Sequence, residues 1–222
     1  VAHEISVPAG KLLRRDLSGR ETCALILILL AGIGLRLYWN NVREYSPADE
    51  AVYTGVTRAL VKSGWSSYPR VASEYLQDQR RWVYPGPLRW GNYLFTTLSC
   101  RVMGTCGPRS LAWVSTMAGI AVVVLIFVLA RTLVGVQAAL LAAAFAATSP
   151  LQLALGRRAL QDELVVAMFL FDALRLYRLR ENPPEKQSRA VYGCAVAAMT
   201  LSLGVKEWFA IVLAIVSVPF IV

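Results

Sequence analysis

The sequence has almost no histidine and no glycine-rich nucleotide-binding motif. His3 is the only histidine among 222 residues. A Ser-His-Asp triad, a Cys-His pair and a zinc site with histidine ligands are therefore absent from this stretch. Because it also contains no glycine-rich phosphate loop, a reaction driven by a bound nucleotide has no support here.

Charged residues are scarce as well. They make up 17% of the chain, against about 25% in soluble domains, whereas hydrophobic residues reach 56%. The mean hydropathy is +0.50, and no charge occurs within 110–130, 132–156 or 190–205. These runs exclude disorder and an ordinary cytosolic enzyme, and they predict a protein that crosses a membrane several times. The net charge of +9 comes from basic clusters between the runs, which is typical of orientation signals rather than of a nucleic-acid-binding domain.

The apolar runs predict an all-α, multi-span membrane protein with one long polar segment, 40–109, after the first span. We expect this segment to contain amphipathic helices beside the membrane. Because the chain has no initiator methionine and stops inside an apolar run, we expect 1–222 to be the N-terminal part of one transmembrane domain. The predicted spans are 22–39, 110–130, 136–153, 164–177, 190–205 and 208–222.

The basic residues of the short loops predict the orientation. Four of them precede the first span, and five lie in the connector 175–189. Since an even number of spans separates these clusters, both are expected on the cytoplasmic side, which leaves 40–109 outside. Arg36, near the far end of the first span, is expected to snorkel to the interface.

The four cysteines fall into two pairs. Cys23 and Cys194 lie in apolar runs and are expected to be buried small hydrophobes. Cys100 and Cys106 are either two free thiols or, in an oxidising compartment, a disulfide.

Three polar clusters are predicted at the outer face: Asp49-Glu50, Arg157-Arg158 with Asp162, and Lys206-Glu207. Charges near membrane depth are costly and usually mark a site or a pathway. Carboxylates and basic groups that converge there are typical of an active site for an anionic, lipid-borne substrate.

Asp49 has two interpretations. Ser46 and Pro47 suit the start of a helix, so Asp49 is either a first-turn capping acid or a carboxylate that accepts a proton from a hydroxyl nucleophile. This helix is predicted to extend to about Lys62 and to lie flat on the bilayer. Its predicted apolar stripe consists of Ala48, Val52, Val56, Ala59 and Leu60.

The basic clusters also have two interpretations. Arg157, Arg158 and Lys206 either bind a phosphate or lie in plain interfacial loops, and Asp162 is expected to orient the phosphate or brace the arginine. A further acid, Asp172 in the fourth span, is expected to form a structural ion pair with Arg175 three residues later.

Several segments resemble, in chain order, motifs of the GT-C glycosyltransferases, in the branch of the protein O-mannosyltransferases and lipid A aminoarabinose transferases. Tyr84 stands where that family usually has histidine. The segments are Ala48-Asp49-Glu50-Ala51-Val52-Tyr53, Tyr84-Pro85-Gly86-Pro87-Leu88, Ser149-Pro150 followed by Arg158-Ala159-Leu160-Gln161-Asp162, and Leu203-Gly204-Val205-Lys206.

The resemblance implies a GT-C-type helix bundle and a sugar transferase that uses a polyprenyl-phosphate-linked donor. Asp49 would be the general base, Glu50 would position Asp49 or the acceptor hydroxyl, and Arg158 and Lys206 would neutralise the leaving phosphate. Arg157 would be a further phosphate-binding residue, and the supporting residues would be Asp162, Tyr53 and Tyr84.

The expected partners are this lipid-linked donor, a hydroxyl acceptor and membrane lipids, and the expected location is a bacterial inner (plasma) membrane with the site on its outer face. No cofactor is required by the sequence, although a divalent cation held by Asp49, Glu50 or Asp162 is an open alternative. The alternative functions are a transporter and a noncatalytic lipid-handling subunit.

Overall fold

A computed structural model describes residues 16–41, 48–83, 86–181 and 189–206. Within these ranges the regular elements are all helical, as the sequence predicts, and two short 3₁₀ turns, Trp65–Ser67 and Gln79–Val83, flank the third helix. The α-helices are α1 (Gly19–Asn41), α2 (Ala48–Ser63), α3 (Tyr68–Gln77), α4 (Trp90–Met103), α5 (Pro108–Leu133), α6 (Val136–Thr148), α7 (Pro150–Gly156), α8 (Asp162–Glu181) and α9 (Arg189–Val205).

Two described helices are long and apolar enough to cross a membrane, Gly19–Tyr38 within α1 and the whole of α5. The number rises to three if α6 and α7 are one bent span. Helices α8 and α9 cover the predicted spans 164–177 and 190–205, and their crossing stays a prediction. The predicted span 208–222 lies outside the described residues.

The predicted span 136–153 is divided in the structure. Helices α6 and α7 meet at Ser149 with a bend of 55°. Because Pro150 has no N–H and restricts the residue before it, Ser149 takes ψ 119° and leaves the helical conformation. The Ser149 hydroxyl then accepts from the Gln152 N–H at 3.5 Å and caps α7.

Helix α5 lies at the centre of the bundle and packs against α1, α4, α6 and α8. Where it meets α6, small side chains let the two backbones approach closely. The outer faces carry large exposed apolar side chains such as Leu27 and Phe145, as is expected of a surface that contacts lipid. The buried cluster between α5 and α6 consists of Val123, Phe127, Ala139, Ala143, Ala146 and Ala147.

A polar contact joins α8 to α9. The Ser202 hydroxyl donates to Asp172 Oδ2 at 2.7 Å, and both residues are buried. The predicted ion pair between Asp172 and Arg175 is wrong, because the Arg175 guanidinium lies over the Phe171 ring instead, 5.2 Å from its centroid. Asp172 faces α9, so Ser202 on that helix is better placed to contact it than Arg175 on its own helix.

The structure decides the open question about one cysteine pair and differs from the expectation for the other. Cys100 and Cys106 form a disulfide between α4 and the loop that follows it, which decides between the two alternatives. Cys23 and Cys194 are exposed rather than buried. Residues of an apolar run can lie on the surface of a membrane protein, because the surrounding lipid is as apolar as a protein core.

Helices α4 and α9 cross where both carry glycine. A Cβ added to Gly91 would lie 2.8 Å from the Gly204 carbonyl carbon, and one added to Gly204 would overlap the Trp90 ring. These distances leave no room for a methyl group, so the crossing requires glycine on both helices.

We expect Gly204→Ala to destabilise the folded protein by about 1–3 kcal/mol, since the added methyl group overpacks this crossing. Thermal unfolding in detergent micelles would measure the change. Gly193→Ala is the matched control, because nothing lies within 4 Å of a Cβ at Gly193 on the same helix. Equal unfolding temperatures for the two variants would contradict this close approach of α4 and α9.

Candidate active site

Helix α2 turns its polar side towards the protein. Two residues of its predicted apolar stripe, Ala48 and Ala59, are exposed and a third, Leu60, is buried. That α2 lies flat on the bilayer stays a prediction. The polar side chains find partners inside, as when the hydroxyls of Thr57 and Thr96 share a hydrogen bond of 2.9 Å, and buried polar groups need such partners. The buried residues of α2 are Glu50, Tyr53, Thr54, Thr57 and Leu60.

Glu50 joins α2 to the segment before α8. Its carboxylate is fully buried and accepts a hydrogen bond from Arg158 Nε at 3.1 Å. The Arg158 side chain is 38% exposed. A buried carboxylate is costly without such a counter-charge, so this contact fixes α2 against the segment 157–161. Within the described ranges, no acceptor engages the two terminal nitrogens of Arg158.

A second ion pair links the start of α8 to the end of α9. Lys206 Nζ lies 3.1 Å from Asp162 Oδ1, and each side chain is about one-third exposed. Of the two roles expected for Asp162, bracing Arg158 is wrong, since Asp162 pairs with Lys206 and Arg158 pairs with Glu50. Orienting a phosphate stays a prediction. The packing of α8 on α9 sets this arrangement by bringing the end of α9 beside Asp162.

The Tyr53 hydroxyl, one turn after Asp49 and Glu50, forms the third link. It donates to Gln161 Oε1 at 2.9 Å and accepts from the Arg89 guanidinium. Burial raises the pKa of Tyr53 to about 12, against the opposing charge of Arg89. The phenol therefore stays neutral near pH 7 and keeps its proton for Gln161.

Arg89 and Gln161 are not among the residues predicted from the sequence. Gln161 lies in the polar stretch between Arg158 and Asp162, and its place there is the signal that could have identified it. Arg89 directly follows the segment Tyr84-Pro85-Gly86-Pro87-Leu88, and its position in the sequence does not predict a contact with Tyr53.

Asp49 is exposed in the first turn of α2. No side chain in the described part of the protein forms a hydrogen bond or an ion pair with its carboxylate, although its charge acts on the Tyr53 hydroxyl. Arg157 is half-buried beside Arg158, and Tyr84 lies outside the described residues.

Two side-chain hydroxyls of α5 hold the segment before α8 on this central helix through its backbone carbonyls. The Ser115 hydroxyl donates to the Leu160 carbonyl at 2.5 Å, and the Thr116 hydroxyl donates to the Gly156 carbonyl at 3.0 Å. The segment that carries Arg157 and Arg158 is thus held on α5, which is a rigid scaffold for these two side chains.

The site combines the exposed carboxylate of Asp49, which can accept a proton, with cations fixed by neighbouring acids, which can hold an anion. The structure does not gather a metal-binding cluster in the ranges it describes, where no three His, Cys, Asp or Glu side chains are placed to hold an ion. The acidic members of the site are Asp49, Glu50 and Asp162, and the basic members are Arg89, Arg157, Arg158 and Lys206.

These features define an integral membrane protein of α-helices with a charged site at the helix ends. The family model for the dolichyl-phosphate-mannose-protein mannosyltransferases matches residues 91–222, and the chain belongs to this family. It is a membrane glycosyltransferase of the mannosyltransferase type, and the resemblance to the GT-C glycosyltransferases is confirmed. No curated protein and no solved structure matches the chain.

The matched region contains only part of the site. Arg158, Asp162 and Lys206 lie within residues 91–222, whereas Asp49 and Glu50 precede them. The Glu50–Arg158, Tyr53–Gln161 and Thr57–Thr96 hydrogen bonds attach α2 to the matched region.

Proposed function

We propose that this protein transfers a sugar from a polyprenyl-phosphate-linked donor to an acceptor hydroxyl at the outer face of the membrane. The observation that carries this proposal is the Glu50–Arg158 ion pair, which attaches α2, with the exposed Asp49 in its first turn, to a basic residue of the mannosyltransferase-family region. A base and a phosphate-binding group are the two parts that such a transfer requires.

Asp49 is the general base in this mechanism. It accepts the proton of the acceptor hydroxyl while the hydroxyl oxygen attacks the anomeric carbon of the sugar. The bond between this carbon and the phosphate oxygen breaks, and the polyprenyl phosphate leaves from the opposite face, so the anomeric configuration is inverted. Glu50 is fully buried on Arg158, so it positions α2 and leaves the proton transfer to Asp49.

Arg158 and Lys206 neutralise the phosphate, whose charge grows as the bond to the sugar breaks. The partial exposure of both side chains supports this role, as do the two terminal nitrogens of Arg158 that no acceptor engages within the described ranges. Guanidinium groups bind phosphate through two parallel hydrogen bonds. Arg157 is the alternative guanidinium, and Asp162 holds Lys206 in place.

An apolar groove of about 720 Å³ beside the site supports a lipid-borne donor. It lies between α4, α5 and α8 and reaches Leu164, two residues after Asp162. Its lining includes Phe95, Leu125, Met168 and Phe171. With the phosphate of the donor at Lys206, its apolar lipid chain could therefore lie in this groove.

The direct test is sugar transfer by the purified full-length protein from radiolabelled polyprenyl-phosphate mannose to peptide, lipid and glycan acceptors. We expect a labelled product with at least one acceptor class. Movement of the lipid across proteoliposomes without any product would favour the transporter alternative. Binding of the lipid with neither product nor movement would favour the noncatalytic subunit.

We further expect the N-terminus and the connector 175–189 on the cytoplasmic side and 40–109 outside. The Cys100–Cys106 disulfide supports this orientation, because disulfides persist in oxidising compartments. In a variant with serine at Cys23 and Cys194, a membrane-impermeant maleimide should label Ser67→Cys in intact cells and Gln187→Cys only after permeabilisation. Labelling of both positions from one side would contradict this topology.

A further inference from the structure

A buried arginine lies in the first spanning helix, away from the site. Arg36 of α1 is 1% exposed, so the expectation that it snorkels to the interface is wrong. Its guanidinium donates to the carbonyl oxygens of Gly32, Ala147 and Ala146 at 3.2, 3.1 and 3.2 Å. An ionised group inside a membrane bundle is costly and requires a compensating role.

The break between α6 and α7 explains two of these contacts. In a continuous helix the Ala146 carbonyl would accept from residue 150, but Pro150 has no N–H. The donor for Ala147 would be Leu151, which lies beyond the 55° bend. Arg36 therefore supplies the hydrogen bonds that the broken helix lacks.

The remaining side of the Arg36 guanidinium faces α8. A Cβ placed on Gly119 of α5 would lie 2.9 Å from Arg36 Nε and 3.5 Å from Glu163 Oε2, so both groups occupy the space above this glycine. Glu163 is 1% exposed. Arg36 Nε and both carboxylate oxygens of Glu163 have no hydrogen-bond partner in the described structure, and their opposite charges are the compensation available to each.

Glu163 is directly connected to the candidate site. It follows Asp162, which pairs with Lys206, and the first helical hydrogen bond of α8 runs from the Val165 N–H to the Gln161 carbonyl at 2.9 Å. A carboxylate held in place at Glu163 thus fixes the turn that presents both Gln161 and Asp162.

We infer that Arg36 and Glu163 are positioning residues that act across Gly119 to hold the segment 157–162 in the geometry that sugar transfer requires. This inference rests on the proposed function. Glycine at position 119 is part of the device, since a methyl group there would displace Arg36 from the carbonyls that it caps.

The test compares Glu163→Gln and Gly119→Ala with the parent full-length protein in lipid nanodiscs. Gly34→Ala is the matched control, because it adds a methyl group to the same helix as Arg36 with nothing within 4 Å. Two quantities are measured below the unfolding temperature of every variant. One is hydrogen exchange of the backbone amides of 157–165, and the other is kcat and KM for radiolabelled polyprenyl-phosphate mannose.

We expect both variants to exchange faster in 157–165 and to raise KM about tenfold or more, with a smaller fall in kcat, because a slightly displaced site binds and orients the donor poorly. Glu163→Asp should recover part of the loss, since it keeps the charge. Unchanged exchange and unchanged KM in folded Glu163→Gln and Gly119→Ala would overturn the inference. A parent protein without transfer activity would overturn the proposed function alone, because the exchange measurement needs no substrate.

Discussion

Asp49→Asn is expected to reduce the rate of sugar transfer by about 100-fold or more, which is the range for loss of a general base. Asparagine keeps the size of the side chain and removes its ability to accept the acceptor proton. Because Asp49 is exposed and has no hydrogen-bond or ion-pair partner among the described residues, the fold should persist. The measurement is the initial rate with saturating donor and acceptor, together with thermal unfolding of the same preparation.

Glu74→Gln is the matched control for Asp49→Asn. Glu74 is another exposed acid of the segment 40–109, and it forms a surface ion pair with Arg70. Such pairs contribute about 0–1 kcal/mol, so this variant should retain the parent rate. Normal turnover by a folded Asp49→Asn protein would mean that Asp49 is only a first-turn acid of α2.

Arg158→Ala and Lys206→Ala are expected to weaken binding of a polyprenyl-phosphate sugar by about 10- to 100-fold each, since a hydrogen bond to a charged group contributes about 1.5–3 kcal/mol. Arg158→Lys should be partly defective, because it keeps the charge and loses the forked donor geometry. The measurement is equilibrium binding of a labelled polyprenyl-phosphate sugar to the purified full-length protein.

Lys206→Ala gives the clearer result of the two alanine variants. The Lys206–Asp162 pair is partly exposed, so its loss should cost little stability, whereas Arg158→Ala also removes the guanidinium that Glu50 contacts. Arg70→Ala is the control, as it deletes an equal charge from an exposed pair on the same side. If the parent protein binds no such lipid, or if all variants bind it equally, Arg158 and Lys206 do not hold a phosphate.

The sequence predicts which residues of the site are charged, but it does not predict which distant residues contact one another. The clusters containing Asp49, Arg158, Asp162 and Lys206 stand out in the sequence because charges interrupt apolar runs. The sequence does not show how these residues pair, since the two residues of the Glu50–Arg158 contact, and likewise those of the Tyr53–Gln161 contact, are 108 positions apart. No local periodicity relates positions so distant, so the sequence did not identify Arg89 and Gln161 and did not predict that Asp162 pairs with Lys206.

The orientation of α2 shows the same limit in a single helix. A stripe of small apolar residues normally marks the buried face in water. Here the polar face of Glu50, Tyr53 and Thr57 is buried, because it finds hydrogen-bond partners on α4 and on the segment before α8. Beside a membrane, an apolar face can be turned away from the protein, so the pattern alone does not say which face is inside.

The sequence by itself determined that this protein is helical, lies in a membrane and carries a few charges at the ends of apolar runs, because these properties depend on composition and on local spacing. The break at Ser149 was not predicted, although its cause is local, since Pro150 cannot donate a hydrogen bond wherever it is placed. The tertiary structure decided which charges meet. Burial makes an unpaired charge costly, so Glu50 and Glu163 adopt positions set by cations from distant parts of the chain, Arg158 in the segment before α8 and Arg36 on α1. Only the packing of the helices determines which cations are within reach.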